Sequence, residues 1–116
     1  VVDAQNMIND DAFLAIYGSN QHSAEALITA DENLGKVGPD GIIGVGFDAG
    51  TLIKSAVKSG KLAGAITQDP MNMGRKTVEL AVKAAKGEPV EDVDTGCQWY
   101  TADNMDDSDI APNLYD

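Results

Sequence analysis

Ile42-Ile43-Gly44-Val45-Gly46-Phe47-Asp48 is the stretch on which the reading of this chain turns. Six uncharged residues end abruptly in an acid. Short, continuous apolar runs of this kind form strands buried on both faces. Helical spacing takes over at once. From Ala49 onward, Leu52, Ile53, Ala56 and Val57 fall on one face, and Gly60 supplies a C-terminal stop.

The same unit repeats on either side. Upstream, residues 12–17 are a second apolar run, broken by Gly18-Ser19-Asn20. A helix follows with Ala24, Leu27 and Ile28 at helical spacing and Gly35 near its end. Downstream, residues 62–67 predict a third strand, and Asp69-Pro70 is a strong helix start. That helix reads to about Lys86, with Met73, Thr77, Leu80, Ala81 and Ala84 along one stripe and Gly87 closing it. Residues 2–9 read as the end of a helix with Met7 and Ile8 facing inward, and Asn9-Asp10-Asp11 as a turn. Alternating strands and helices predict an α/β fold, three-layer α/β/α with a parallel sheet. Beyond Val90 the pattern changes. A short strand is expected within residues 94–100, then a solvated, partly irregular acidic tail over residues 101–116.

Composition narrows the function. The chain of 116 residues fits one small domain, and aromatics at 5% leave its core to aliphatic residues and alanine. A net charge of -11 repels phosphate backbones and anionic lipid, which excludes nucleic-acid binding through this segment. The single cysteine, Cys97, has no internal disulfide partner and reads as a small semi-buried residue. No apolar run is long enough to span a membrane. No signal peptide is visible, but the chain begins Val1-Val2-Asp3, as expected of a processed or cut piece. The acidic tail lacks the alternating ligands, glycine and closing glutamate of a calcium loop. There is no nucleophile elbow, histidine metal pair or phosphate-binding loop. We therefore expect no enzyme, metal or cofactor.

Ligands in open α/β sheets bind beyond the carboxyl ends of the strands. Here those ends carry Ser19-Asn20, Asp48 and Gln68. A carboxylate accepts from neighbouring hydroxyls, and an amide both donates and accepts. The set suits a neutral polyhydroxylated ligand, with Phe47 offering an apolar face to a ring. Each residue also has a structural alternative: Asn20 and Asp48 are suited to cap the helices that follow, and Gln68 to satisfy loop backbone. His22, in the first turn of a helix, reads as exposed more readily than as a site residue.

These residues carry a family resemblance. Ile43-Gly44-Val45-Gly46-Phe47-Asp48 resembles the VVGFD strand of type I periplasmic binding proteins of the ribose and galactose group. Residues 12–20 resemble that family's strand and loop ending in asparagine, and residues 58–70 its "dGklaatiaQ.p" segment. Met73-Gly74 and Lys86-Gly87-Glu88 also fit, so the likeness runs from about Asn6 to Val93. It implies a partial periplasmic-binding-protein-like fold. Residues 1–68 would be part of the C-terminal sugar-binding lobe, and 69–92 a crossover helix and strand of the N-terminal lobe. Residues 93–116 would hold the return crossover and acidic tail. It also implies that Asn20, Asp48 and Gln68 bind the hydroxyls of a monosaccharide or related polyol, with Phe47 packed near them. An ABC permease is the implied partner, and the location is extracytoplasmic, periplasmic or at the cell surface. Membrane association would come only through a lost anchor or the permease. A sensor role in chemotaxis is compatible with the same reading.

The rival is the effector domain of a LacI-type regulator, although residues 60–68 are of the transporter kind. Without the N-terminal lobe, the helix after Pro70 would expose its apolar stripe. Pairing with a complementary N-terminal fragment or with a second copy is therefore expected. Size-exclusion chromatography checks this: a well-folded, sugar-binding monomer contradicts it.

Overall fold

The decisive stretch forms strand β2, Ile43–Phe47, at the centre of a computed structural model that describes residues 1–116. Its neighbours are β1, Ala15–Tyr17, and β3, Leu62–Gln68, both parallel to it. A fourth strand, β4, Cys97–Tyr100, adds to β3 antiparallel, giving the order β1-β2-β3-β4. The α/β class holds, but the sheet is mixed rather than purely parallel. The reason lies in the connection: the chain leaves β3, makes a long excursion and re-enters beside its own exit.

Four helices complete the fold: α1, Val2–Asn9; α2, Gln21–Asp31; α3, Thr51–Lys58; and α4, Pro70–Ala85. Glycine lets β2 pack closely against the loop before it and against β3. A Cβ on Gly44 would lie 2.6 Å from Val37 Cγ1 and 2.7 Å from Leu62 Cδ2, so no larger residue fits. On this side Ile16, Ala24, Leu27, Ile28, Ile53, Val57, Leu62 and Ala65 form the buried aliphatic core. Burying a side chain of this kind contributes roughly 1.5–3 kcal/mol.

The opposite face is covered only in part. Tyr17, Ile43 and Trp99 are 51%, 49% and 45% exposed, and Phe47 and Ile66 are half-buried. Strands expected to be buried on both faces are thus buried on one, and β1 begins only at Ala15. Of the inward pair expected in α1, Ile8 is buried and Met7 is not. Cys97 is exposed rather than semi-buried.

The acidic tail departs further from expectation. Met105, Ile110 and Asn113 are buried, and a 3-10 turn forms over Ala111–Asn113. Asp103, Asp106, Asp107 and Asp109 face solvent, while these three residues pin the tail to the body. α4 behaves in the opposite way: it has no buried residue, and Met71, Val78 and Val82 stand exposed. Its local supports are the Asp69 cap on the Asn72 amide at 2.8 Å and pairs of Glu79 with Arg75 and Lys76.

One buried charge holds the loop into β2. Asp31, fully buried at the end of α2, accepts from the amides of Lys36 at 2.8 Å and Val37 at 3.1 Å. Its second oxygen faces Lys61 Nζ at 2.9 Å, an ion pair rather than an aligned hydrogen bond. Asp31→Ala strands all three partners and is expected to cost about 3 kcal/mol. Urea denaturation followed by circular dichroism measures this; a loss below about 1 kcal/mol would deny Asp31 its role as loop anchor.

Candidate functional site

Parallel pairing of β1, β2 and β3 sets their carboxyl ends side by side, so Asn20, Asp48 and Gln68 share one rim of the sheet. Two strand spacings of about 4.8 Å make that rim about 10 Å across, the scale of a sugar ring with its hydroxyls.

Asn20 does cap α2. Its Oδ1 accepts from the Ser23 amide at 2.8 Å, and Ser23 Oγ accepts from the Asn20 amide at 3.1 Å, a reciprocal capping box. This fixes the side chain while leaving the Nδ2 donors free of the cap. Asp48 sits at φ 67°, in the left-handed region that aspartate tolerates better than most residues. Three bonds hold it there. Its amide donates to Ile66 O at 2.7 Å, its carbonyl accepts from Tyr100 Oη at 2.8 Å, and its Oδ2 accepts from the Gln21 amide at 3.3 Å. The second carboxylate oxygen is not used in these contacts. The expected capping role of Asp48 therefore goes to the start of α2, across the rim, and not to its own following helix. Gln68 is exposed at the end of β3. Phe47 lies one residue short of the rim, in register with Ile66, which pairs in turn with Trp99. His22 is exposed in the first turn of α2.

Sequence reading missed the residues that hold the rim together. Tyr100 supports the Asp48 carbonyl, and Tyr115 donates from its phenol to Gln21 Oε1 at 3.3 Å. The Tyr115 carbonyl accepts from the Gly50 amide at 2.9 Å. The only signal for Tyr115 in the sequence was an aromatic residue beside Leu114 in an otherwise acidic tail. A depression of about 570 Å³ lies away from this rim, at the amino ends of β1 and β2, lined by Ile8, Phe13 and Leu14 together with Asp10, Asp11, Lys36 and Asp40. No cluster of histidine, cysteine and acidic residues could hold a metal ion.

Electrostatics favour protonated phenols at this rim. Burial, then the neighbouring Tyr115 and Asp48, pushes the Tyr100 phenol far above its ordinary value. Burial and the Asp48 charge raise Tyr115 as well.

The carboxyl-end rim of an α/β sheet is where such folds bind ligands. Comparison places the chain more closely. A family profile described as "Periplasmic binding protein domain" matches residues 3–89, and the chain belongs to that family. The ribose import binding protein of Salmonella typhimurium is 39% identical over 77 residues, covering 66% of this chain and 25% of that protein. The chain thus spans about a quarter of the length of this relative. Among solved structures, an ABC transporter solute-binding protein from Agrobacterium vitis with bound D-fucose superposes with a TM-score of 0.87. It is 28% identical and covers 98% of this chain and 39% of that one. A Brachyspira murdochii protein described as "ABC transporter, LacI family transcriptional regulator" gives a TM-score of 0.84 at 34% identity, covering 99% of this chain and 40% of that one. The sugar-binding relatives are transport proteins and not enzymes, in agreement with the motif reading.

The raised tyrosines give an alkaline prediction. Folding holds the Tyr100 proton more tightly than the unfolded chain does. Stability is therefore present below pH about 10 and falls as pH rises beyond it. Urea midpoints at pH 8 and pH 11 should show this decline, and Tyr100→Phe should flatten it; equal slopes in both proteins would exclude Tyr100 as the cause.

Proposed function

We propose that this chain supplies the C-terminal half of a monosaccharide site in the extracytoplasmic binding component of an ABC importer. The observation that carries the reading is Asp48. Its carboxylate is fixed by the Gln21 amide and stands midway along the rim between Asn20 and Gln68. Fixed acceptors and donors at sugar-ring spacing are what a neutral polyol requires, since each buried hydroxyl needs a partner. In this reading Asp48 accepts from ligand hydroxyls, and the Asn20 and Gln68 amides donate and accept on either side. Phe47 forms the apolar floor beneath Asp48, joining the rim to the sheet face.

The open surfaces support the remaining assignments. Residues 1–68 act as the sugar-binding lobe portion, 69–92 cross to a second lobe, and 93–116 return. The exposed face at Tyr17, Ile43 and Trp99, and the exposed Met71 and Val78 of α4, are surfaces for that missing part. A complementary N-terminal segment or a second copy would close the cleft, and an ABC permease would receive the loaded protein. The likeness to the ribose import binding protein supports an extracytoplasmic location.

The Brachyspira neighbour keeps a second reading in view, the effector-binding domain of a LacI-type regulator. The sequence upstream of Val1 separates the two: a signal peptide favours transport, and a helix-turn-helix favours regulation.

Titration with D-ribose, D-fucose and myo-inositol, followed by amide chemical shifts, tests the site. At least one sugar should shift the amides of Asn20, Asp48 and Gln68. Asp48→Ala should weaken that response by about ten- to a hundredfold, the loss of charge-assisted hydrogen bonds. An unchanged response removes Asp48 from the site.

A further inference from the structure

The residues at the end of the chain touch α2, the turn after β2, α3, β3 and β4. The Asn113 carbonyl accepts from Thr67 Oγ1 at 3.1 Å, beside Gln68, and Asn113 Nδ2 donates to Gln98 Oε1 at 3.1 Å on β4. The Leu114 carbonyl accepts from Lys54 Nζ at 3.3 Å, and the Asp116 carboxylate pairs with the same ammonium. Between these anchors sits Tyr115. Its carbonyl takes the Gly50 amide at 2.9 Å, two residues after Asp48, and its phenol reaches Gln21 at 3.3 Å, one residue after Asn20. Gln21 in turn gives its own amide to Asp48 and its side-chain Nε2 to Glu25 at 2.9 Å.

A closed circuit results: Tyr115 to Gln21, Gln21 to Asp48, and the Asp48–Gly50 turn back to Tyr115. The circuit joins the ends of β1 and β2 beyond the last backbone bond between them, the Gly18 amide on Val45 O at 2.9 Å. Asp48 also occupies a left-handed conformation, held on the β3–β4 side by Ile66 O and the Tyr100 phenol and on the α2 side by Gln21 alone.

We propose that Tyr115 is a positioning residue for the sugar site, setting the separation of Asn20 and Asp48 through Gln21 and Gly50. The inference rests on the sugar-site reading above. It adds that the acidic tail is part of the site's construction, through one phenol and one carbonyl. Tyr115 is 41% exposed, so loss of its side chain leaves no large cavity. The raised phenol of Tyr115 agrees with this placement, since burial and Asp48 favour the protonated donor.

The test uses Tyr115→Phe, Gln21→Met, the double variant, and a chain ending at Leu114, each titrated with D-ribose and D-fucose by amide chemical shifts. Tyr115→Phe is expected to leave the thermal midpoint nearly unchanged, move the Gln21 and Asp48 amides, and raise the sugar Kd about three- to tenfold. The shortened chain should in addition lose exchange protection at the Gly50 amide. Both single variants remove the Tyr115–Gln21 bond, and Gln21→Met also removes the bond to Glu25, so the double variant should lose no more than Gln21→Met alone. Additive losses would mean that Tyr115 contacts sugar directly, and would overturn the positioning role. Wild-type affinity with unmoved amides in Tyr115→Phe and the shortened chain also overturns it. If Asp48→Ala loses the sugar response while Tyr115→Phe keeps it, only the positioning role fails. A wild-type chain with no sugar-dependent shifts overturns both readings.

Discussion

Parallel register between β1, β2 and β3 is the constraint from which the rest follows. Ile16 opposite Gly44 and Gly46 opposite Ala65 place three strand ends on one line. Everything polar at that line is then brought together by backbone hydrogen bonds, whatever its side chain. The glycines of β2 make this possible at close range. They remove bulk on the side where α2 and α3 settle, so the aliphatic residues of both helices reach the sheet. With few aromatics to fill space, a core of alanine, valine, leucine and isoleucine has to be closely packed.

Much of this was written locally. The apolar run ending at Asp48, the break at Gly18 and the Asp69-Pro70 start each act within a few residues, and each marks its element. Asn20, Asp48 and Gln68 could be placed on one rim because each follows a strand of the same parallel set. What stayed hidden is long-range. Tyr100 meets Asp48 across 52 positions and Tyr115 meets Gln21 across 94, and no periodicity records such pairs. The direction of β4 was hidden for the same reason. It depends on where the excursion through α4 returns, not on the four residues Cys97–Tyr100.

Burial on one face shows a different limit. The apolar runs at residues 12–17 and 42–47 carry side chains for two faces, and the structure packs only one of them fully. Both runs form strands, as read, but the first lies at the sheet edge and neither is buried on two faces. The surplus on the far face, at Tyr17, Ile43 and Trp99, is surface for contact rather than interior. The stripe on α4 speaks for the same thing at the other end of the molecule, which extends 56 Å along its longest axis.

The antiparallel pairing of β4 with β3 has a mechanical consequence. Gln68 and Cys97 are register partners, so the chain departs toward α4 and returns from it at neighbouring points on one sheet edge. A body suspended from two adjacent attachments can swing about the line through them without breaking a ladder hydrogen bond. Sliding it sideways would shear both strands at once. The line through those two attachments passes beside Gln68, at the edge of the polar rim.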